Sequence, residues 1–190
     1  MNSFVDEINR TVDTLKSGGV ILYPTDTVWG IGCDATNKEA VEKIYKIKQR
    51  TESKSLIVLV DSEQRLNRYV REVSALAWDL IEFSERPLTI IYSDPIGLAS
   101  NVIAEDGSVG MRITKDEFCK QLIFKFGKPI ISTSANVSGQ TTPRNFNEIS
   151  KHILSEVDYI VNLRQNETSH SQSSTIIKLG LTGEIKIIRK

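Results

Sequence analysis

Histidine and cysteine are nearly missing from this chain. Only Cys33, Cys119, His152 and His170 carry a thiol or an imidazole among 190 residues. One disulfide at most can form, no zinc-binding spacing exists, and reduced thiols are the expected state. No apolar run approaches the ~20 residues that a membrane span requires. The opening residues, MNSFVDEINRTVDTLKSGG, carry acids and amides where a signal peptide has its apolar core, so a soluble cytoplasmic protein is expected. Net charge is missing too: 24 basic side chains meet 24 acidic ones, which excludes a polycationic nucleic-acid coat but leaves room for a local basic groove.

Familiar catalytic signatures are also absent. There is no G-x-x-x-x-G-K-[ST] phosphate loop, and Gly30-Ile-Gly32 lacks the third glycine of a dinucleotide fingerprint. No G-x-S-x-G elbow occurs, and neither histidine lies in a motif that would activate a serine. His152 falls on a polar helix end and His170 in a polar loop, so both are expected to be solvated. An enzyme built from this chain would work by positioning and charge stabilisation rather than through a nucleophilic triad.

What is present is a foldable core. With 39% hydrophobic and 25% charged residues the composition is globular, and the length suits one domain over residues 1–190. Phe4, Ile8, Val12 and Leu15 form the stripe of an amphipathic helix closed by Gly18 and Gly19, and a strand, Val20–Tyr23, follows. Pro24–Thr36 reads as a loop. Asn37 caps a second helix that turns Val41, Ile44 and Ile47 inward and ends near Gln49. Ser55–Val60 is the continuous apolar run of a strand buried on both faces. Residues 62–84 read as one helix with Leu76, Leu80 and Phe83 buried. Strands at Leu88–Tyr92 and Ser108–Ile113 enclose the loop Ser93–Gly107, and loops of that length in a compact domain are often functional. A helix over Asp116–Phe126, a short strand Ile130–Ile131, a helix over Asn145–Leu154 and strands at Asp158–Val161, Thr175–Leu179 and Glu184–Ile188 complete an interleaved α/β pattern. Gln165–Ser174 reads as a flap or a surface loop.

Three small polar loops border strands: Pro24–Thr27, Ser132–Asn136 and Ser173–Thr175. In open α/β sheets ligands bind beyond the carboxyl ends of strands, where hydroxyls and amides suit a polyanion or an amino acid. Each loop taken singly reads as ordinary turn chemistry, and their recurrence narrows that gap. A basic cluster, Lys43, Lys46, Lys48, Arg50 and Lys54 against Glu42 and Glu52, lies hidden inside the neutral total. Lys48 and Arg50 are two residues apart and converge on one ligand only if the helix unwinds there. The other reading is that these cations merely complement the helix dipole. Arg112 ends a strand of small and apolar residues, where a carboxylate ligand or an internal salt bridge must balance it.

Three segments then act together. Tyr23-Pro-Thr-Asp-Thr-Val-Trp-Gly-Ile-Gly-Cys-Asp-Ala-Thr36, Lys48-Gln-Arg50 and Ser132-Thr-Ser-Ala-Asn-Val-Ser-Gly139 resemble the YrdC-like family in its short bacterial form, over a match running from about Gly18 to the C-terminus. The resemblance implies a twisted mixed β-sheet flanked by helices, with a concave positively charged cavity and no extra C-terminal domain. It implies L-threonylcarbamoyladenylate synthase activity, in which L-threonine, bicarbonate and ATP, with Mg2+, give threonylcarbamoyl-AMP, pyrophosphate and water. A separate threonylcarbamoyl transferase complex would use the product to modify tRNA beside the anticodon. By position, the resemblance assigns Lys48, Arg50, Lys54, Ser108, Ser134, Asn136, Thr142 and Arg189 to ATP, with Lys48 and Arg50 catalytic. Thr27, Arg112, Ser132 and Ser174 fall to threonine, with Arg112 on its carboxylate. Leu59 stands where longer relatives carry histidine, and Trp29 where tyrosine is usual, which keeps an aromatic wall.

Such chemistry suits a chain without a triad. A carbamate oxygen attacks the α-phosphorus, and fixed cations answer the charge that gathers in the transition state. As long cations near a helix end, Lys48 and Arg50 are expected to matter for turnover and little for stability. Two alternatives remain at this point: a paralogue of the same fold that binds double-stranded RNA during tRNA or rRNA maturation, and a carbamoyl-transfer module of the hydrogenase-maturation type.

Overall fold

Ser3 starts the first helix by a reciprocal cap: its hydroxyl accepts the Asp6 amide while the Asp6 carboxylate accepts the Ser3 amide. A computed structural model describes residues 3–50, 56–168, 172–180 and 184–190. Lys54, Ser55 and His170 lie outside the described residues, as does part of the Gln165–Ser174 segment. The helices are α1 (Phe4–Lys16), α2 (Lys38–Ile47), α3 (Glu63–Tyr69), α4 (Ala75–Phe83), α5 (Glu117–Phe126) and α6 (Lys151–Glu156). The strands are β1 (Ile21–Tyr23), β2 (Gly30–Gly32), β3 (Ile57–Val60), β4 (Leu88–Tyr92), β5 (Val109–Ile113), β6 (Ile130–Ser134), β7 (Tyr159–Ile160), β8 (Thr175–Leu179) and β9 (Ile185–Arg189). They form a twisted mixed sheet in the order β7-β1-β2-β6-β3-β5-β4-β8-β9. β7/β1, β3/β5 and β4/β8 run parallel, and the other neighbours antiparallel. No helix among the described residues is long and apolar enough to cross a membrane.

Period-two alternation sorts the strand residues between two cores. Ile21, Tyr23, Leu59 and Ile130 join α1 and α5 on one face. Leu22, Val58, Val60 and Ile131 join α2 on the other. Beyond Ile130 the first face continues as Ser132 and Ser134, and on β5 as Gly110 and Arg112. No residue of α1 or α5 lines the sheet there, and the bare face becomes the floor of a cavity.

Four sequence expectations change. The loop Pro24–Thr36 contains β2, a central strand between β1 and β6. Two of its three residues are glycine, so no side-chain alternation announces it. The glycines permit close contact: a Cβ on Gly32 would lie 2.4 Å from the Ile131 carbonyl oxygen and 2.7 Å from the Tyr23 ring. Gly32→Ala is therefore expected to cost about 1–3 kcal/mol, the usual toll of overpacking. A urea midpoint equal to wild type would contradict this.

Residues 62–84 form two helices, because Val70 turns extended and bridges Pro95 while the Ser74 hydroxyl caps α4 at the Ala77 amide. Phe83 is then 76% exposed, and Ala77, not Leu76 or Leu80, is the buried residue. Residues 145–154 divide likewise into a 3-10 turn at Phe146–Glu148, capped by Asn145, and α6, capped by Ser150. Finally, β6 runs on to Ser134, because Thr133 and Ser134 pair with β2, the strand that the glycines concealed.

Candidate active site

The end of α2 satisfies the condition set for Lys48 and Arg50 to converge. Lys48 closes the helix, Gln49 takes a left-handed φ of 49°, and the Arg50 amide reaches back 2.9 Å to the Tyr45 carbonyl. The helix has unwound, and Arg50 lines the cavity. Lys48 does not. It is 2% exposed, and its Nζ donates to the Ser134 carbonyl and, at 2.7 Å, to that of Asn136. In return the Ser138 amide donates to the Lys48 carbonyl at 2.9 Å. Ser134 Oγ donates to Asn136 Oδ1 at 2.5 Å, and Asn136 Nδ2 donates to the Gln140 carbonyl at 2.7 Å. Lys48 thus braces the turn that follows β6 from behind. His152, expected in solvent, is half-buried, with Nε2 3.0 Å from the Ile47 carbonyl at the end of the same helix.

Burial, and then the Arg50 charge, pulls the Lys48 amine from its ordinary 10.5 down to about 7. Between these values the unfolded chain binds more protons than the folded one. This group therefore adds stability as pH rises through the window and withdraws it as pH falls towards 7. Lys48→Met cannot titrate and serves as reference. The urea-midpoint difference, wild type minus variant, is expected to grow from about pH 7 to about pH 10; a constant or shrinking difference would contradict this.

Arg112 takes the internal salt bridge and has capacity left over. It is 3% exposed, with Nη2 3.1 Å from Asp26 Oδ1 in an ion pair lacking hydrogen-bond alignment, and 3.4 Å from Thr27 Oγ1. Asp26 Oδ2 also accepts the Lys115 amide at 3.2 Å, and Thr27 Oγ1 lies 2.9 Å from Thr25 Oγ1. Arg112 Nε is buried and has no hydrogen-bond acceptor among the described residues. An unmatched buried donor calls for an anionic or carbonyl oxygen beside it.

From the far edge of the sheet, Arg189 donates through Nε and Nη2 to the Ser174 carbonyl at 3.1 and 3.0 Å. Burial, then the nearby charge of Arg112, holds its guanidinium below the ordinary range. Two cations lining one cavity favour an anion there. Ser108 Oγ donates to Asp106 at 2.5 Å, and Lys178 reaches the same carboxylate at 2.9 Å.

The cavity measures about 290 Å³. Thr27, Arg50, Ser108, Arg112, Ser132, Ser134, Thr142, Ser174 and Arg189 line it, and among the described residues no Asp or Glu does. Asn136 and Lys48 stand behind the lining. Trp29 forms no part of this wall: its ring packs against Phe146 at 4.9 Å between centroids, on the core side. Sequence reasoning missed Thr89 and Gly110, which also line the floor. For Thr89 a signal existed, a small polar side chain between Leu88 and Ile90 in an otherwise apolar and aromatic strand.

Sheet order and a cavity lined by arginines and hydroxyls define an α/β protein with a polar pocket on one face of its sheet. The family model described as Telomere recombination, covering Sua5, yciO and yrdC, matches residues 13–190. The chain belongs to that family. It is 33% identical over 181 residues to a protein of Pseudoalteromonas translucida named threonylcarbamoyl-AMP synthase, covering 94% of this chain and 95% of that one. A protein of the same name from Photobacterium profundum is 32% identical over 186 residues, covering 93% and 100%. Among solved structures, E. coli YciO superposes with a TM-score of 0.82 at 25% identity, over 96% of this chain and 88% of that one. P. abyssi Sua5 complexed with L-threonine matches in fold, with a TM-score of 0.82 at 22% identity over 93% of this chain. The chain spans about half of that Sua5 chain, 52%.

Proposed function

We propose that this chain is an L-threonylcarbamoyladenylate synthase, a nucleotidyltransferase that joins L-threonine, bicarbonate and ATP. The observation that carries the reading is Arg112: a buried guanidinium whose Nε has no partner among the described residues, set among hydroxyls in a cavity that Arg50 and Arg189 also line and that no carboxylate of the described residues enters. Curated relatives named threonylcarbamoyl-AMP synthase support it, and so does a fold shared with a Sua5 that binds L-threonine. None of these observations favours the RNA-binding alternative.

In this reading Arg112 takes the threonine carboxylate, while Asp26 and Thr27 hold its Nη2 arm. Thr27, Ser132 and Ser174 surround the amino acid. Arg50 and Arg189 face the phosphates, with Ser108, Ser134 and Thr142 as further nucleotide contacts, and Lys48 and Asn136 keep the Ser134 turn in place. Lys54 belongs to the same nucleotide assignment. The threonine amine and bicarbonate condense to a carbamate with loss of water. A carbamate oxygen then attacks the α-phosphorus, the bond to the β-phosphate bridging oxygen breaks, and pyrophosphate leaves with that electron pair. The arginines stabilise the charge that develops, and no protein nucleophile is needed. The oxygen-rich lining suits a hard cation, and with no Asp or Glu among its described residues magnesium would enter with the triphosphate. Bound there, it would neutralise charge on the departing pyrophosphate. Such a reaction belongs in the cytoplasm, where a transferase complex would receive the product for tRNA modification.

The test is pyrophosphate release from ATP in the presence of bicarbonate. Release is expected to require L-threonine, and release independent of it would overturn the assignment.

A further inference from the structure

Thr89 has no part in the reaction as derived so far, yet it lies in the cavity floor with 0% exposure. Its strand neighbour Ile90 faces the core, which turns Thr89 to the cavity side of β4. Its only hydrogen-bond partner among the described residues is Ser174, with the two hydroxyl oxygens 2.9 Å apart. Ser174 Oγ also lies 3.1 Å from Arg189 Nη2.

The proton count at Ser174 is informative. A hydroxyl offers two lone pairs and one hydrogen, whereas a guanidinium can only donate. Arg189 therefore occupies one lone pair of Ser174. A Thr89 that donates occupies the second, and the Ser174 hydroxyl is left able only to donate. The opposite direction would leave a fully buried Thr89 hydrogen to find an acceptor and Ser174 with no hydrogen to offer an anion. In a cavity lined by arginines, with no carboxylate among the described residues of its lining, the hydrogen is better placed at the ligand.

We infer that Thr89 is a positioning residue, which by donating to Ser174 makes that hydroxyl an obligatory donor to an anionic oxygen of the amino-acid substrate. The oxygen is that of the carboxylate or of the carbamate, and the free ammonium form of the amine is disfavoured there. This rests on the synthase reading, in which Ser174 touches threonine. It also joins the two halves of the site, because the chain Thr89–Ser174–Arg189 runs from the amino-acid subsite to the nucleotide subsite.

Thr89→Val keeps the shape of the side chain and removes the hydroxyl, and Thr89→Ser keeps the hydroxyl. In threonine-dependent pyrophosphate release, Thr89→Val is expected to raise the KM for threonine about tenfold, the effect of one hydrogen bond, while the KM for ATP stays within about twofold. Thr89→Ser is expected to recover the wild-type KM within about twofold. In a Ser174→Ala background, Thr89→Val is expected to add nothing, since it acts through Ser174. An unchanged threonine KM in Thr89→Val, a Thr89→Ser as defective as Thr89→Val, or full additivity with Ser174→Ala would each overturn the inference. If the wild type shows no threonine-dependent release, the synthase reading falls alone, and calorimetry with L-threonine decides on Thr89. A tenfold loss restored by serine supports its role, and equal or undetectable binding across wild type and variants overturns it.

Discussion

Arg112→Met is expected to lower kcat/KM for threonine by about 100- to 1,000-fold while leaving the KM for ATP nearly unchanged. Truncating one partner of a buried, hydrogen-bonded charge pair costs about 2–5 kcal/mol, and each 1.4 kcal/mol is tenfold. Here two partners lose at once: the substrate carboxylate loses its donor, and Asp26 loses the cation 3.1 Å away. The second loss is felt in the free protein, so the urea midpoint is also expected to fall, by the equivalent of about 3–5 kcal/mol for a buried carboxylate left without its counter-charge. Arg112→Lys separates the two effects, because lysine restores a charge beside Asp26 and cannot form the planar fork. It is expected to recover most of the stability and little of the threonine affinity. Saturation of Arg112→Met at wild-type threonine concentrations would remove Arg112 from the binding site.

The second large effect divides a pair that looks equivalent in sequence. Arg50→Ala is expected to lower turnover about 100-fold or more with a small change in stability, since its half-buried guanidinium lines the cavity wall. Lys48→Ala is expected to lose activity by another route. Its amine is what joins the end of α2 to the Ser134 and Asn136 carbonyls, so its removal strips both of a donor and loosens the turn that presents the Ser134 hydroxyl. A cost of about 1–3 kcal/mol follows for the acceptors left behind. At this chain length that is a fall of roughly 2–4 °C in Tm per kcal/mol. The sequence expectation that both cations matter little for stability is kept as a prediction for Arg50 and revised for Lys48, because a 2% exposed ammonium cannot be removed as a solvated one can. Calorimetric melting of both variants checks this, and equal Tm values for Lys48→Ala and wild type would refute the bracing role.

Periodicity and capping made much of the frame legible. The stripe Ile8, Val12 and Leu15, the Asn37 cap of α2, the apolar run of β3 and the strand Thr175–Leu179 each depend on a local pattern that survives folding unchanged. Patterns failed where backbone rather than side chains carried the structure. Gly30-Ile-Gly32 pairs on both sides with no alternation to report it, and the break between α3 and α4 depends on Val70 bridging Pro95, a residue distant in sequence.

The site divides in the same way. By itself the sequence determined the inventory: recurrent small hydroxyl loops, an Arg112 in need of a counter-charge, a Lys48–Arg50 pair, no triad, and the motifs that mark the family. Only the tertiary structure decided which of these meet. It turned Arg50 inward through a left-handed Gln49, set Lys48 behind the wall, left Arg112 Nε without an acceptor among the described residues and joined Thr89 to Ser174 across two strands. The physical reason is that hydrogen-bond partners and burial depend on strand order and sheet face, which bring residues 85 positions apart within 2.9 Å and which no local pattern encodes.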